Sequence, residues 1–524
     1  MRLRSSRTLT LFLLLIPLSL TAQVVQTAQG KIEGQKEPDS AVVVFKGIPF
    51  AAAPVGDLRW RAPGPPAAWQ GIRKAFQFQA SCMQPIIESM LPMHMPWTEE
   101  FLTHGKVSED CLYLNIWTPR LTRNANLPVV VFIHGGGFSG GAGSIDLYRG
   151  ANLAARGAVV VTINYRLGVF GFLAHPELSA ESGHHASGNY GLMDQIAALQ
   201  WIQHNIAGFG GDPHEVTIWG QSAGAFSVGA LIASPLAAHL FERAQADSGL
   251  GVAGIPMAGL SDAERRGLEF AKEHHAASIK ELRSLPAEAL LPAGMSGALR
   301  FAPIVDGWVL PETPNNLSAS GADNDVPVIT GYQAADSMLF TQPVNSLDDY
   351  RQAVGKRYGD MAAEFEKLYP VSTIEEIKSA TAASNQDRDR VSMFLWARAR
   401  IKSHHQPVFT YYFDRAIPWP QHPEFGAFHT GEIPYFFLNL NVLDRPWDKI
   451  DFTLAKEVSA YLLNFATKGD PNGPGLPHWP KVDVSPETME LGLRSGAMPL
   501  AESAKTDFWM RYFSSPAGKN APPF

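Results

Sequence analysis

The pentapeptide Gly220-Gln221-Ser222-Ala223-Gly224 lies between a short apolar strand, predicted at residues 216–219, and an apolar helix, predicted at residues 225–233. A serine between two glycines at such a junction is typical of a turn too tight for larger neighbours. The bend exposes the serine oxygen, and the first N–H groups of the following helix have no intrahelical partner. The stretch therefore predicts an α/β fold that presents Ser222 as a nucleophile.

Apolar runs on both sides of this junction predict a large, mostly parallel central sheet flanked by helices. Residues 127–134 and 157–165 are continuous apolar runs, as expected for parallel strands covered on both faces. Residues 190–206 carry apolar side chains at helical spacing and predict a crossover helix. The other predicted elements are strands at residues 326–332 and 407–414 and a helical insertion at about residues 340–400.

The composition indicates a soluble globular protein that begins with a targeting segment. The chain has 524 residues, 45% hydrophobic and 18% charged, which is enough to bury a large core. Three arginines precede a short apolar run, residues 9–20, and the small residue Ala22 follows. This pattern predicts a signal peptide over residues 1–22 and an exported protein, periplasmic or secreted. The run contains Pro17 and is shorter than the roughly 20 residues of a membrane anchor.

The mature chain is predicted to be a single catalytic domain, residues 23–524, with helical insertions. The 43 basic and 50 acidic residues give a formal charge of −7, and losing three arginines with the signal peptide makes it −10. An acidic protein is a poor partner for nucleic acid or an anionic membrane. Close groups of metal-ligand residues are not visible, so neither a metal nor a cofactor is predicted. The sequence leaves the oligomeric state open.

The two cysteines, Cys82 and Cys111, are 29 residues apart. In an exported protein this spacing favours a disulfide, and two unrelated thiols are the alternative. Between them, residues 83–100 are rich in methionine and include Trp97. This segment could be a flexible apolar lip at a pocket entrance or a loop packed on the core.

A glycine-rich stretch, His134-Gly135-Gly136-Gly137-Phe138, follows the strand predicted at residues 127–134. Glycine runs let backbone N–H groups approach a ligand closely, and such a loop can supply donors beside the N–H that follows a nucleophile. The sequence therefore predicts an oxyanion hole formed by the N–H groups of Gly136, Gly137 and Ala223.

Further motifs run along nearly the whole mature chain. They are Phe45-Lys46-Gly47-Ile48-Pro49-Phe50-Ala51, Pro54-Val55-Gly56, Arg59-Trp60, Ser108-Glu109-Asp110-Cys111-Leu112-Tyr113-Leu114-Asn115, Asn164-Tyr165-Arg166, Phe209-Gly210-Gly211-Asp212-Pro213, Asn464-Phe465-Ala466 and Gly469-Asp470-Pro471-Asn472. In these motifs the chain resembles the type-B carboxylesterases, the cholinesterase-like branch of the α/β-hydrolases, and in particular bacterial para-nitrobenzyl-esterase-like members. The resemblance implies an α/β-hydrolase fold, a serine ester hydrolase and a disulfide between Cys82 and Cys111.

The resemblance also implies a catalytic triad of Ser222, Asp336 and His429, in the chain order expected for this fold. The family usually carries a glutamate followed by glycine at the acid position, and this chain has Asp336 followed by Ser337. Aspartate is one methylene shorter, but either carboxylate can hold an imidazolium.

Each of the two partners of the nucleophile has an alternative. Asp306, in a turn at residues 303–307, is the other candidate for the acid. His422 is the nearest other candidate for the base, but it lies in a proline-rich turn outside the motif at residues 426–435.

Two further positions bear on the substrate and on the histidine. Gln221 stands where many family members carry glutamate, and the missing charge disfavours a cationic alcohol such as choline. Ser248 matches a family serine that bonds near the catalytic histidine, and a purely structural hydroxyl is the alternative.

The predicted function is hydrolysis of small to medium, apolar and uncharged small-molecule esters through an acyl-serine intermediate. The alternatives are a lipase, polyesterase or amidase with the same chemistry, and a non-catalytic adhesion protein of the same family. The substrate itself stays open, because specificity depends on loops around the pocket.

Overall fold

The structure is a computed structural model that describes residues 23–252, 256–291, 300–337, 344 and 346–519. The predicted signal peptide, residues 1–22, lies outside the described residues.

The described strands, in chain order, are β1 Gln23–Thr27, β2 Gly30–Lys36, β3 Val43–Pro49, β4 Ile72–Lys74, β5 Ser81–Cys82, β6 Val107–Ser108, β7 Tyr113–Thr118, β8 Leu127–Ile133, β9 Val159–Ile163, β10 Gly211–Gln221, β11 Arg243–Asp247, β12 Val328–Gln333, β13 Val408–Phe413, β14 Glu487–Leu491 and β15 Gly496–Pro499. Within the described residues, thirteen of them form one sheet, in the order β1-β2-β3-β7-β9-β8-β10-β11-β12-β13-β14-β15 with β4 beside β2. β5 and β6 form a small separate sheet.

The middle of the large sheet is parallel, as predicted. Strands β9, β8, β10, β11, β12, β13 and β14 run in one direction, and antiparallel pairs lie at both ends. The four apolar runs identified in the sequence are β8, β9, β12 and β13. β10 is longer than the predicted residues 216–219, and its pairing with β8 shifts register between Gly211 and Val216.

The described α-helices, in chain order, are α1 Ala151–Ala154, α2 Gly168–Phe172, α3 Pro176–Glu181, α4 Tyr190–Asn205, α5 Ala223–Ala233, α6 Leu260–Glu273, α7 Ile279–Ser284, α8 Pro314–Ser320, α9 Leu347–Tyr358, α10 Ala362–Leu368, α11 Ile374–Ser403, α12 Ile433–Phe436, α13 Lys449–Lys468, α14 Ser503–Ser514 and α15 Pro516–Lys519. α4 is the predicted crossover helix between β9 and β10. α9, α10 and α11 make up the predicted helical insertion.

The two faces of the sheet bury separate apolar clusters. Along β8, Val129, Val131 and Ile133 belong to one cluster, and Val130 and Phe132 belong to the other. Successive side chains of a strand point to opposite faces, so a strand covered on both sides needs apolar residues at every position. This is why β8 is a continuous apolar run.

The parallel register brings the carboxyl ends of several strands to one edge of the sheet. Gly220 pairs with Ile133, and Gln221 pairs with Asp247, which in turn pairs with Gly331. The residues that follow β8, β10, β11 and β12 therefore lie side by side, although they are far apart in the chain. Among the helices of the described residues, none is long and apolar enough to cross a bilayer.

Candidate active site

Ser222 occupies a strained turn between β10 and α5. Its φ of 58° and ψ of −124° lie in a region that residues with a side chain rarely adopt. A Cβ on Gly220 would lie 2.2 Å from the carbonyl oxygen of Gly224, and one on Gly224 would lie 2.0 Å from that of Ile133. Both glycines are therefore sterically required, as the sequence predicted. The turn is fixed by a 2.9 Å hydrogen bond from Ser222 N to Asp247 O.

The glycine-rich loop after β8 packs directly against this turn. A Cβ on Gly135 would lie 2.9 Å from the Cβ of Ser222. Gly136 and Gly137 have φ values of 102° and 63°, and a Cβ on Gly136 would lie 2.3 Å from Gly140 O. Larger residues would push this loop away from the serine.

Backbone donors are available beside Ser222. Ala223 is the first residue of α5, so its N–H has no intrahelical partner. Within the described part of the chain, the N–H groups of Gly136 and Gly137 donate no hydrogen bond to another backbone group. These are the three groups that the sequence predicts to form an oxyanion hole.

His134 begins the glycine-rich loop and acts as a structural residue. It is buried, and burial lowers the pKa of its imidazole to about 4. Its ring stacks on Tyr165 with centroids 4.5 Å apart, and the Tyr165 hydroxyl donates to His134 O at 2.9 Å. The histidine is thus neutral and fixes the start of the loop.

Asp336 and His429 form a buried, hydrogen-bonded pair. His429 Nδ1 donates to Asp336 Oδ1, and the two residues are 2% and 1% exposed respectively. Asp336 Oδ2 accepts a 2.6 Å hydrogen bond from Ser248 Oγ and a 3.2 Å one from Gln333 N. With both oxygens held, the carboxylate fixes the orientation of the imidazole and places its proton on Nδ1.

Gln221 lies at the other ring nitrogen. Its Nε2 is 3.2 Å from His429 Nε2, and the side chain is buried. Because Nδ1 carries the proton, Nε2 is the ring nitrogen that can accept a proton. The residue before Ser222 therefore touches His429 directly.

The alternative residues lie elsewhere. Asp306 Oδ1 accepts from the N–H groups of Trp308 and Leu310 at 3.1 and 2.9 Å, and the residue lines a separate cavity of ≈ 290 Å³. His422 lies at the surface, 3.1 Å from Glu424. The structure places Asp336, and not Asp306, against His429.

The disulfide between Cys82 and Cys111 is present. In the segment between them, Met83 is buried in the core and Met93 is exposed, so the segment has both packed and open parts. Trp97 donates through Nε1 to Thr430 Oγ1 at 2.8 Å, and its ring lies 6.2 Å from that of His429. The sequence showed an apolar segment but not that its tryptophan adjoins His429.

Two buried acids beneath the site were not identified from the sequence. Asp247 Oδ2 accepts a 2.5 Å hydrogen bond from Trp219 Nε1. Glu432 is fully buried, and within the described residues neither of its carboxyl oxygens has a hydrogen-bond partner. Burial, and then the neighbouring acids, raises the pKa of Glu432 well above its ordinary value, and burial raises that of Asp247. The sequence did carry one signal for Glu432: an acidic residue between His429 and the aromatic residues 435–437.

We expect Glu432→Gln to weaken the pH dependence of stability. A buried acid whose pKa is raised keeps its proton in the folded state where the unfolded chain has lost it. The free energy of unfolding therefore falls as pH rises above the ordinary range of glutamate. The amide cannot ionise, so the thermal unfolding midpoint should fall less between about pH 5 and about pH 8 than in the parent. Calorimetry at both pH values measures the unfolding midpoints of the variant and the parent.

Glu502→Gln is the matched control, because the Glu502 side chain is 79% exposed. Its unfolding midpoint should follow the parent at both pH values. If Glu432→Gln also follows the parent, Glu432 is not a source of the pH dependence.

No group of three or more histidine, cysteine, aspartate or glutamate side chains in the described ranges is arranged to hold a metal ion. The site brings side chains and backbone N–H groups together in an arrangement suited to nucleophilic attack by a serine.

The model of the carboxylesterase family matches residues 21–509 of the chain. The chain belongs to the carboxylesterase family. It is an enzyme that hydrolyses carboxylic esters, and its fold is that of the α/β-hydrolases, as the sequence motifs predicted.

Individual carboxylesterases match over most of their length. A fumonisin B1 esterase of Sphingopyxis macrogoltabida is 38% identical over 90% of this chain and 87% of its own. The para-nitrobenzyl esterase of Bacillus subtilis (strain 168) is 36% identical over 95% of this chain and 99% of its own. The crystal structure of a Geobacillus stearothermophilus carboxylesterase is 31% identical, with a TM-score of 0.77 over 93% of this chain and 100% of its own.

Proposed function

We propose that this carboxylesterase works through an acyl-serine intermediate formed on Ser222, with His429 as the base and Asp336 as the acid. The observation that carries the proposal is the buried Asp336–His429 pair, which contacts Gln221, the residue before a serine held in a strained turn. Strain of this kind persists where the surrounding structure enforces it, and it presents the serine oxygen to a substrate.

In the first half of the reaction, His429 Nε2 takes the proton of Ser222 as Oγ attacks the ester carbonyl carbon. The carbonyl oxygen becomes an oxyanion, which the N–H groups of Gly136, Gly137 and Ala223 stabilise. The C–O bond to the alcohol then breaks, and His429 gives its proton to the leaving oxygen.

In the second half, water replaces the alcohol. His429 Nε2 takes a proton from the water as its oxygen attacks the acyl carbon, and the proton then returns to Ser222 Oγ when the carboxylic acid leaves. Asp336 holds the imidazole in one tautomer and stabilises the cation at each protonated stage. The proton count is the same at the start and the end of the cycle.

We further propose that the substrates are small to medium, apolar and uncharged esters. Gln221 supports this, since a neutral amide adjoins the base at a position where a carboxylate would attract a cation.

A pair of isosteric esters tests the charge preference. 3,3-Dimethylbutyl acetate and acetylcholine have nearly the same shape and differ in one positive charge. We expect kcat/KM to be higher for the neutral ester by about tenfold or more, which corresponds to about 1.4 kcal/mol. Gln221→Glu should reduce this ratio, because it places a negative charge beside the base.

Gln77→Glu is the control, because it adds the same charge at an exposed position. It should leave the ratio of the two esters unchanged. A parent enzyme that prefers acetylcholine would contradict the proposed substrate class and leave the nucleophile assignment untouched.

The alternative activities are tested with other substrates. Hydrolysis of long-chain triglycerides, of polyesters or of anilides would identify a lipase, a polyesterase or an amidase respectively.

We also propose that the enzyme is exported. The basic and apolar residues 1–22 support this, and so does the disulfide, because disulfides persist in oxidising compartments. An adhesion protein without activity is the less favoured function, because the nucleophile, acid and base positions are all occupied by residues that can react.

A further inference from the structure

Helix α11 contacts the loop that carries Asp336, residues 334–337. We call this loop the acid loop, and α11 contacts it on both sides of Asp336. Before the acid, Gln386 Nε2 donates a 3.0 Å hydrogen bond to Ala334 O. After it, Ser337 Oγ donates to Asp389 Oδ2. The loop is therefore tied to one helix at two points, and Asp336 lies between them.

The second contact is made to Asp389, which also forms a buried ion pair with Arg388. Arg388 Nε and Nη2 lie 3.0 and 2.8 Å from Asp389 Oδ1, and Nη2 also donates to Ser337 Oγ at 3.1 Å. Arg388 is 1% exposed, Asp389 6% and Ser337 3%. Hydrogen bonds to charged groups are stronger than neutral ones, so a hydroxyl between these two charges has little freedom to move.

On its other side, the same loop meets the loop of the base. Ala335 N donates to Ala427 O at 2.9 Å, two residues before His429. The acid loop thus lies between α11 and the histidine loop. A displacement of either contact would change the distance between Asp336 and His429.

The closeness of this loop matters because the acid is an aspartate. Aspartate is shorter than glutamate by one methylene, about 1.5 Å of reach. Its carboxylate contacts His429 Nδ1, so the main chain at residue 336 must lie within the reach of an aspartate side chain from that nitrogen.

We propose that Ser337, Arg388 and Asp389 are positioning residues that hold the acid loop at the distance an aspartate requires. The inference rests on the proposed roles of Asp336 and His429 and adds to them a reason for the serine after the acid. Ser337 and the ion pair are buried behind the acid, so they act on catalysis through the placement of Asp336.

A double-mutant cycle between the acid and the serine tests the proposal. Ser337→Gly removes the hydroxyl and should lower kcat by about tenfold or more, with KM within about twofold, because only the acid moves. Asp336→Glu should also lower kcat, because the longer side chain crowds His429 from a loop held close. In the double variant the released loop can retreat, and kcat should exceed that of both single variants.

The cycle is repeated with Ser337→Ala, which removes the hydroxyl without adding backbone freedom, so that a folding defect of the glycine variant cannot obscure the result. The proposal is overturned if, in both cycles, the fold loss of kcat in the double variant equals the product of the losses in the two single variants. It is also overturned if Ser337→Ala keeps the parent kcat.

Ser318→Ala is the matched control. Ser318 is also buried and accepts a hydrogen bond from a buried arginine of α11, Arg400, which pairs with Asp323. Its loss should lower the unfolding midpoint and leave kcat within about twofold of the parent. If Ser222→Ala keeps its activity, the proposed function fails. If Ser222→Ala is inactive and Ser337→Ala behaves like Ser318→Ala, only the positioning role fails.

Discussion

Ser222→Ala should abolish ester hydrolysis, lowering kcat for p-nitrophenyl acetate by about 10⁴-fold or more. Alanine keeps a Cβ, so it neither relieves the strained backbone nor opens the turn. The variant should fold as the parent does, and the loss then reflects the missing hydroxyl. Steady-state kinetics with a burst measurement of active sites gives the result, and circular dichroism reports the fold.

Ser227→Ala is the control for this change, because Ser227 is a buried serine in α5, the helix that follows Ser222. Its hydroxyl accepts a 3.0 Å hydrogen bond from Gln195 and does not belong to the proposed machinery. It should retain activity close to the parent. Activity of Ser222→Ala within tenfold of the parent would exclude Ser222 as the nucleophile.

Asp336→Asn should be the next most damaging change, with a loss of about 10³ to 10⁴-fold in kcat. An amide carries no charge to stabilise the imidazolium, and its NH2 group can stand where His429 Nδ1 needs an acceptor. The proton of the histidine is then no longer directed to Nδ1, and Nε2 ceases to be a dependable base. Measurements of kcat and of the unfolding midpoint separate this effect from misfolding.

Asp306→Asn serves as the comparison. Asp306 holds a turn through two backbone N–H groups, so its replacement should lower the unfolding midpoint and change kcat by less than about threefold. A large loss of kcat in Asp306→Asn together with an active Asp336→Asn would reverse the assignment of the acid.

Much of the fold was predictable because its signals are local. The apolar run of β8, the glycines around Ser222 and the spacing of α4 each reflect a constraint within a few residues of the chain. The bounds of β10 and α5 were less accurate. Helical geometry begins at Ala223 and not at residue 225, because the turn at Ser222 leads directly into the helix.

The antiparallel ends of the sheet were not predicted. Strands β1 to β4 and β14 to β15 are short or interrupted by polar residues, and edge strands need no continuous apolar run. Their pairing depends on neighbours that are distant in the chain.

The sequence by itself determined the fold class, the nucleophile turn, the glycine loop and the candidates for acid and base. Only the tertiary structure decided which groups touch them. Gln221 meets His429 across 208 residues, and Ser337 meets Asp389 across 52. Such contacts depend on the order of strands in the sheet and on where α11 packs, which no local pattern encodes. That order places a neutral amide at one ring nitrogen of His429 and a tethered aspartate at the other.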